Sequence, residues 1–322
     1  MAAKVEAVIE KSCHTTGEGP HWDERTQTLL YVDINDGSVH RWSPETGKDE
    51  KHKFVVPCKK GGYLVSVGTS VCHFDWDTKK LTTLQTVDEG KETRINDGKC
   101  DASGRLWFET KPLRLFLVSR GYYILPANCA NFSGTMGLEK TPAVVNKYQG
   151  SLFSLEIDGS VRKHKEGVSI SNGLAWTADN KTMYYIDSIP RKVFGYDFDI
   201  KTGTMSNERV VVDLGRDDTI PTLAFPDGMT IDTDGKLWVA CFYAGKVFRF
   251  DPETGKQIGA IDVPAKRTTS CCFGGKNFDE MYITCSLYGV TEDELKETPL
   301  AGSVFRATGL GAKGTLAPVY EG

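Results

Sequence analysis

Hydrophobic and polar residues alternate along this chain in short runs of five to eight, the period of half-buried strands, and almost nowhere recur at helical spacing. The runs come in two kinds. One is an alternating run ending in an aromatic residue and Asp, followed by a turn rich in Gly, Thr and Lys. It occurs as GSVHRWSPETGK (37–48), SVCHFDWDTKK (70–80), GSLFSLEIDGS (150–160), KVFGYDFDIKTG (192–203), KVFRFDPETGK (246–256) and GSVFRATGLGAKG (302–314). The other is a polar turn followed by an aromatic- or leucine-rich strand: DERTQTLLYVDI (23–34), DASGRLWF (101–108), TADNKTMYYIDS (177–188), DTDGKLWVAC (232–241) and NFDEMYITC (277–285). Val193 and Val247 are 54 residues apart, and Val247 and Val304 are 57 apart. A repeat of about fifty residues holding several short strands is the signature of a propeller blade. Six copies predict an all-β, six-bladed β-propeller formed as one domain by residues 1–322. A ring closes most simply when its termini share a blade, so the run from Val5 to Ile9 is expected to pair with the last blade, near 303–308 and 315–320. The one helix signal is TEDELKE (291–297), with acidic residues in its first turn.

Two stretches break the repeat. Residues 109–133, from Glu109 to Ser133, have no counterpart in the other copies and read as an irregular insertion: a hairpin lid, an exposed loop or a poorly folding splicing product. Val39 and Val71 are only 32 residues apart. The second blade therefore lacks a strand between Val56 and Gly61, which leaves an unpaired edge.

Composition narrows the function. The 322 residues are 39% hydrophobic and 25% charged with a formal net charge of −4, an ordinary globular balance without a basic nucleic-acid footprint. No run of about 18 apolar residues offers a membrane span, and the N-terminal segment lacks the apolar core of a signal peptide. The expected setting is the cytoplasm, with a small-molecule partner, no nucleic acid, no membrane, and a monomer or weak oligomer. Nine cysteines, an odd number without a CxxC pair, read as small buried hydrophobes of a reducing compartment. No GxSxG elbow, P-loop or dinucleotide fingerprint is present.

Propeller sites lie on the loops at the mouth of the central channel. Four segments place an acid or amide beside Gly before a strand: GEGPHW (17–22), RINDGK (94–99), SISNGLAW (169–176) and FPDGMTID (225–232), centred on Glu18, Asn96, Asn172 and Asp227. Asn-Gly and Asp-Gly are also ordinary hairpin-turn dipeptides, and a blade protein needs many of them. If the four converge on the axis, two carboxylates and an amide are hard oxygen donors, suited to calcium, magnesium or manganese. The six histidines show no zinc-ligand spacing, and His21, close to Glu18, reads as a packing residue or a hydrogen-bond support.

The segments GEGPHW, RINDGK, ISNGLAW, FPDGM and TTSCCFGGKNFDEMYITC resemble the regucalcin (senescence marker protein), gluconolactonase and luciferin-regenerating enzyme family, its animal regucalcin branch most of all. The resemblance covers nearly the whole chain. It implies one divalent cation in the channel, calcium favoured, with zinc, manganese or magnesium possible. Carried over residue by residue, Glu18, Asn172 and Asp227 are the metal ligands and Arg94 and Asn96 hold substrate. Glu139, in GTMGLEK, is an acid of a lid loop near the sugar. The implied reaction is hydrolysis of aldonolactones of the gluconolactone or gulonolactone type, with Asp227 as the base and Glu18 in reserve. The alternatives are a calcium-binding regulatory protein with incidental catalysis, and a luciferin-regenerating type of role. Two departures bear on this chain: residues 109–133 are extra to the family pattern, and the strand leading into GGYLVSVG (61–68) is mostly missing.

Overall fold

Six antiparallel sheets follow one another along the computed structural model, which describes residues 3–52, 61–75, 77–78, 80–91, 93–112, 117–118, 121–122 and 148–322. Strand β1 (Lys4–Ile9) opens the chain. The first blade is β2 (Gly17–Asp23), β3 (Thr28–Asp33), β4 (Ser38–Trp42) and β5 (Asp49–His52), in that order. The second is β6 (Tyr63–Val67), β7 (Ser70–Phe74) and β8 (Leu81–Thr86). The third holds β9 (Thr93–Cys100) and β10 (Leu106–Pro112). After the short pair β11 (Leu117–Val118) and β12 (Gly121–Tyr122), it continues with β13 (Gly150–Leu155) and β14 (Val161–Val168). The fourth is β15 (Ser171–Trp176), β16 (Thr182–Asp187), β17 (Lys192–Asp199) and β18 (Thr204–Asp213). The fifth is β19 (Phe225–Ile231), β20 (Leu237–Phe242), β21 (Lys246–Asp251) and β22 (Lys256–Asp262). The sixth is β23 (Thr268–Gly274), β24 (Glu280–Cys285) and β25 (Val304–Thr308), completed by β1.

That last sheet closes the ring as expected, with Lys4 opposite Thr308 and Val5 opposite Ala307. The expected strand at 315–320 does not form. Instead the Tyr320 hydroxyl donates to the Glu156 carbonyl (2.8 Å) and the Glu321 amide to the Gly104 carbonyl (3.0 Å), so the C-terminal tail is tied to the third blade. The helix signal holds: α1 (Glu292–Glu297) has Thr291 as its cap, the side chain accepting from the Glu294 amide.

Strands β2, β9, β15, β19 and β23 stand first in their sheets and pack against one another around the axis, β15 on β9 and β19, and β23 on β19 and β2. The second strands are buried on both faces, as in Leu237–Cys241, because a hydrophobic seam fills the space between each pair of blades. Between blades three and four, Trp107 stacks on His164 (ring centroids 4.2 Å apart) and packs against Trp176 and Phe198. Among the described residues the seam between blades one and two holds Leu30 with Tyr63, Val65, Cys72 and Phe74. In the repeat β6 corresponds to β3, β16 and β20, the second strands. The stretch before β6, residues 53–60, where the spacing predicts a missing strand, lies outside the described residues. Residues Glu109 to Pro112 of the extra piece prolong β10, pairing Thr110 with Ile95 and Lys111 with Arg94.

Candidate functional site

The channel-facing strands share one irregularity. Pairing slips between Glu18 and His21 in β2, between Asn172 and Leu174 in β15, and between Pro226 and Met229 in β19. In β9 it slips where Asn96 and Asp97 stand opposite the Phe108–Thr110 stretch of β10. An extra residue in one strand bends it and re-aims a side chain. The equivalent bulges thus present Glu18, Asn96 with Asp97, Asn172 and Asp227 from four different blades.

The glycines that follow decide against the hairpin reading. Neither Gly173 nor Gly228 has a positive φ. A Cβ on Gly173 would lie 2.8 Å from the Asp227 carbonyl and 2.7 Å from Met229 Cβ; one on Gly228 would lie 2.0 Å from Ser270 Oγ. These glycines let neighbouring inner strands approach each other; they do not make turns.

Hydrogen bonds fix the amides. Asn96 Nδ2 donates to Asn172 Oδ1 (2.7 Å) and to the Ser171 carbonyl (2.8 Å). Asn172 Nδ2 donates to Ser188 Oγ (2.8 Å), whose hydroxyl donates to the Pro226 carbonyl beside Asp227 (2.6 Å). The loops leading into the strands are also held. Asp33 accepts from the amides of His14, Thr15 and Thr16, just before Glu18, and Asp187 accepts from those of Ser169 and Ile170, just before Asn172. Lys99 reaches from β9 to the Leu174 carbonyl (3.2 Å) and the Met229 carbonyl (3.1 Å), tying blades three, four and five together.

Charge is concentrated here. Burial first, then Asp227 and Asp97, push the Glu18 carboxyl well above its usual range, against the hydrogen bond it accepts from the Gly19 amide (3.0 Å). Burial also raises Asp97, and it raises Glu109 further, with Asp97 and Glu18 adding to the effect. A divalent cation would offset this crowding. Glu18 and Asp227 are the carboxylates and Asn172 Oδ1 the amide oxygen available to hold it, a donor set that fits a hard cation. Among the described residues no three His, Cys, Asp or Glu side chains come together as a metal-holding group.

The remaining expected residues divide. Arg94 Nη1 donates to the Ile95 carbonyl (2.9 Å), which leaves the guanidinium on the β9 side of the site. Glu139 lies outside the described residues. His21 is neutral, its pKa lowered to about 4 chiefly by burial, with Lys99 adding to the effect and Asp23 opposing it. The seven described cysteines are buried free thiols; burial raises Cys271 and Cys285 to about 12, so neither is a nucleophile at neutral pH. The sequence reading did not single out Asp97, Lys99, Ser188, Asp33, Asp187 or Glu109. The repeated Tyr-Val-Asp and Tyr-Ile-Asp ends of the second strands were the visible signal for Asp33 and Asp187.

The comparisons agree with the fold and the motifs. A family model described as SMP-30/Gluconolactonase/LRE-like region matches residues 16–286. Regucalcin of Xenopus laevis is 43% identical and regucalcin of Homo sapiens 40%, each over 326 aligned residues covering 99% of both chains. Among solved structures, a luciferin-regenerating enzyme superposes with a TM-score of 0.83 at 31% identity, covering 99% of this chain and 100% of that one. A calcium-binding protein, regucalcin, from Agrobacterium tumefaciens reaches a TM-score of 0.82 at 22% identity, covering 100% of this chain and 98% of that one, a likeness of fold. With that model spanning most of its length and those regucalcins matching it end to end, this chain belongs to the SMP-30/gluconolactonase/LRE-like family.

Proposed function

We propose that the chain is a metal-dependent lactonase that opens sugar lactones of the gluconolactone or gulonolactone type, with one divalent cation, calcium first, in the channel. The observation that carries this reading is the set of equivalent bulges presenting Glu18, Asn172 and Asp227 from three blades, with the Asp227 charge adding to the burial that raises the Glu18 carboxyl. The bound cation supplies Lewis-acid polarisation of the lactone carbonyl. Arg94 and Asn96, on the β9 side, orient the sugar hydroxyls; Arg supplies a planar set of donors. Asp227, half-buried at the bulge, accepts the proton of the water that adds to the carbonyl carbon, with Glu18 as the second candidate. The ring C–O bond then breaks, the ring oxygen takes up that proton, and a hydroxy acid leaves.

Two solved structures of the same fold carry the name gluconolactonase, at 17% and 20% identity. The regucalcin names of the full-length relatives favour a second reading, a calcium-binding protein with incidental catalysis. The test is acid release from gluconolactone with and without a chelator. Turnover that stops with chelator and returns with added calcium or manganese supports the lactonase; calcium binding without turnover supports the second reading.

A further inference from the structure

Glu109 on β10 is fully buried, and neither of its carboxylate oxygens has a hydrogen-bond partner among the described residues. Buried polar groups are almost always bonded, so an orphan carboxyl at the centre of a fold points to a missing partner such as an ion. The register sets Glu109 opposite the β9 bulge: Phe108 pairs with Gly98 and Thr110 with Ile95, and Asn96 and Asp97 lie between. On its other side Glu109 pairs with Leu152 of β13. The charges acting on it are Asp97, Glu18, Lys111 and Asp227, the same groups that surround the channel site. Lys111, two positions along the strand and therefore on the same face, acts in turn on Glu18, Asp97 and Glu109.

We infer that Glu109, contributed by blade three, is a further negative charge beside the channel's cation site, acting through its field and not as a third carboxylate ligand, and that Lys111 is the built-in positive charge a divalent cation must compete with. The inference rests on the channel holding such a cation, as proposed above. A carboxyl in this position gains an electrostatic partner when the ion enters, and the number of anionic groups at a site sets its affinity for a hard cation. Lys111 acts the other way, neutralising the same carboxylates while the ion is away. Both residues lie in 109–133, the stretch with no counterpart in the other copies of the repeat.

The test is isothermal titration of calcium into the full-length protein and into Glu109→Gln, Lys111→Met and Asp227→Asn. Glu109→Gln is expected to weaken binding about tenfold and Lys111→Met to tighten it by a similar factor, the scale of one unit charge acting across several ångströms of protein. If Asp227→Asn weakens binding while Glu109→Gln and Lys111→Met keep the parent affinity, the inference falls and the channel reading stands. If the parent protein binds no calcium, both fall. Circular dichroism checks the fold of each variant; should Glu109→Gln fail to fold, Lys111→Met decides alone.

Discussion

The amide of Asn96 donates to the side-chain oxygen of Asn172 across 2.7 Å, joining a residue expected to hold substrate to one expected to hold metal. Asn172 is held from both ends, since its nitrogen donates to Ser188. Its oxygen keeps one lone pair free of Asn96, directed by a fixed network. Treating Asn96 as a substrate contact alone predicts that Asn96→Ala raises the Michaelis constant and leaves metal affinity unchanged. The hydrogen bond predicts more. Removing a partner worth about 1 kcal/mol frees the Asn172 amide to rotate and weakens calcium binding about fivefold. Calcium titration of Asn96→Ala beside lactonase kinetics separates the two: an unchanged dissociation constant with a raised Michaelis constant returns Asn96 to substrate alone.

Asp227 serves as both anionic ligand and base in the proposed reaction. Asp227→Ala is expected to abolish cation binding and turnover together. Asp227→Asn keeps an oxygen donor while removing the base and one negative charge, so weakened binding should accompany a rate lower by about two to four orders of magnitude. Near-normal turnover in Asp227→Asn, measured at saturating metal, would transfer the role of base to Glu18.

The raised Glu18 carboxyl has a definite sign in stability. Its folded pKa lies above the ordinary glutamate value of 4.5, so in the metal-free protein the folded state holds this proton more tightly than the unfolded chain. The contribution of Glu18 to stability is thus greatest below about pH 4.5. It falls as pH rises toward the folded pKa and levels off beyond it. Metal-free Glu18→Gln should therefore be more stable than the parent at pH 8, and the difference should shrink on acidification toward pH 5. Saturating calcium should reverse the order at pH 8. Thermal unfolding with chelator and with calcium checks both signs; a parent protein more stable than Glu18→Gln in chelator at pH 8 would falsify the assignment.

Much of the ring was legible because its units repeat: alternating strands, Gly-rich turns and aromatic-Asp ends recur where the sheets lie, and the β1–β25 closure follows from the run at Val5–Ile9. The C-terminal tail was not, because its anchors, the Tyr320 hydroxyl and the Glu321 amide, are single contacts to a distant blade that leave no periodic pattern. At the site, the motifs named Glu18, Asn96, Asn172 and Asp227, but an Asn-Gly pair reads alike whether the glycine turns the chain or admits a neighbouring strand. Glu109 stayed hidden because it opens a stretch without a repeat partner, although the backbone continues β10 through it.

That ambiguity over the glycines gives the sharpest stability test. A hairpin Gly with positive φ, such as Gly235, has open space where a Cβ would go, and its cost on substitution is backbone strain alone. Gly228 is the reverse. Its φ suits any residue, but a Cβ would sit 2.0 Å from the hydroxyl oxygen and 2.4 Å from the Cβ of Ser270, a buried residue of the next inner strand. To fit Ala there, β19 and β23 must separate, a change of the overpacking kind that costs about 1–3 kcal/mol. The displacement falls on the residue next to Asp227. Gly228→Ala should therefore lower the urea midpoint and weaken calcium binding together. The double variant Gly228→Ala with Ser270→Gly, which removes the Ser270 Oγ and Cβ and leaves the 2.7 Å approach to its Cα, should recover part of both. A Gly228→Ala protein with the parent's urea midpoint and calcium affinity would mean that the inner strands are not held at this spacing.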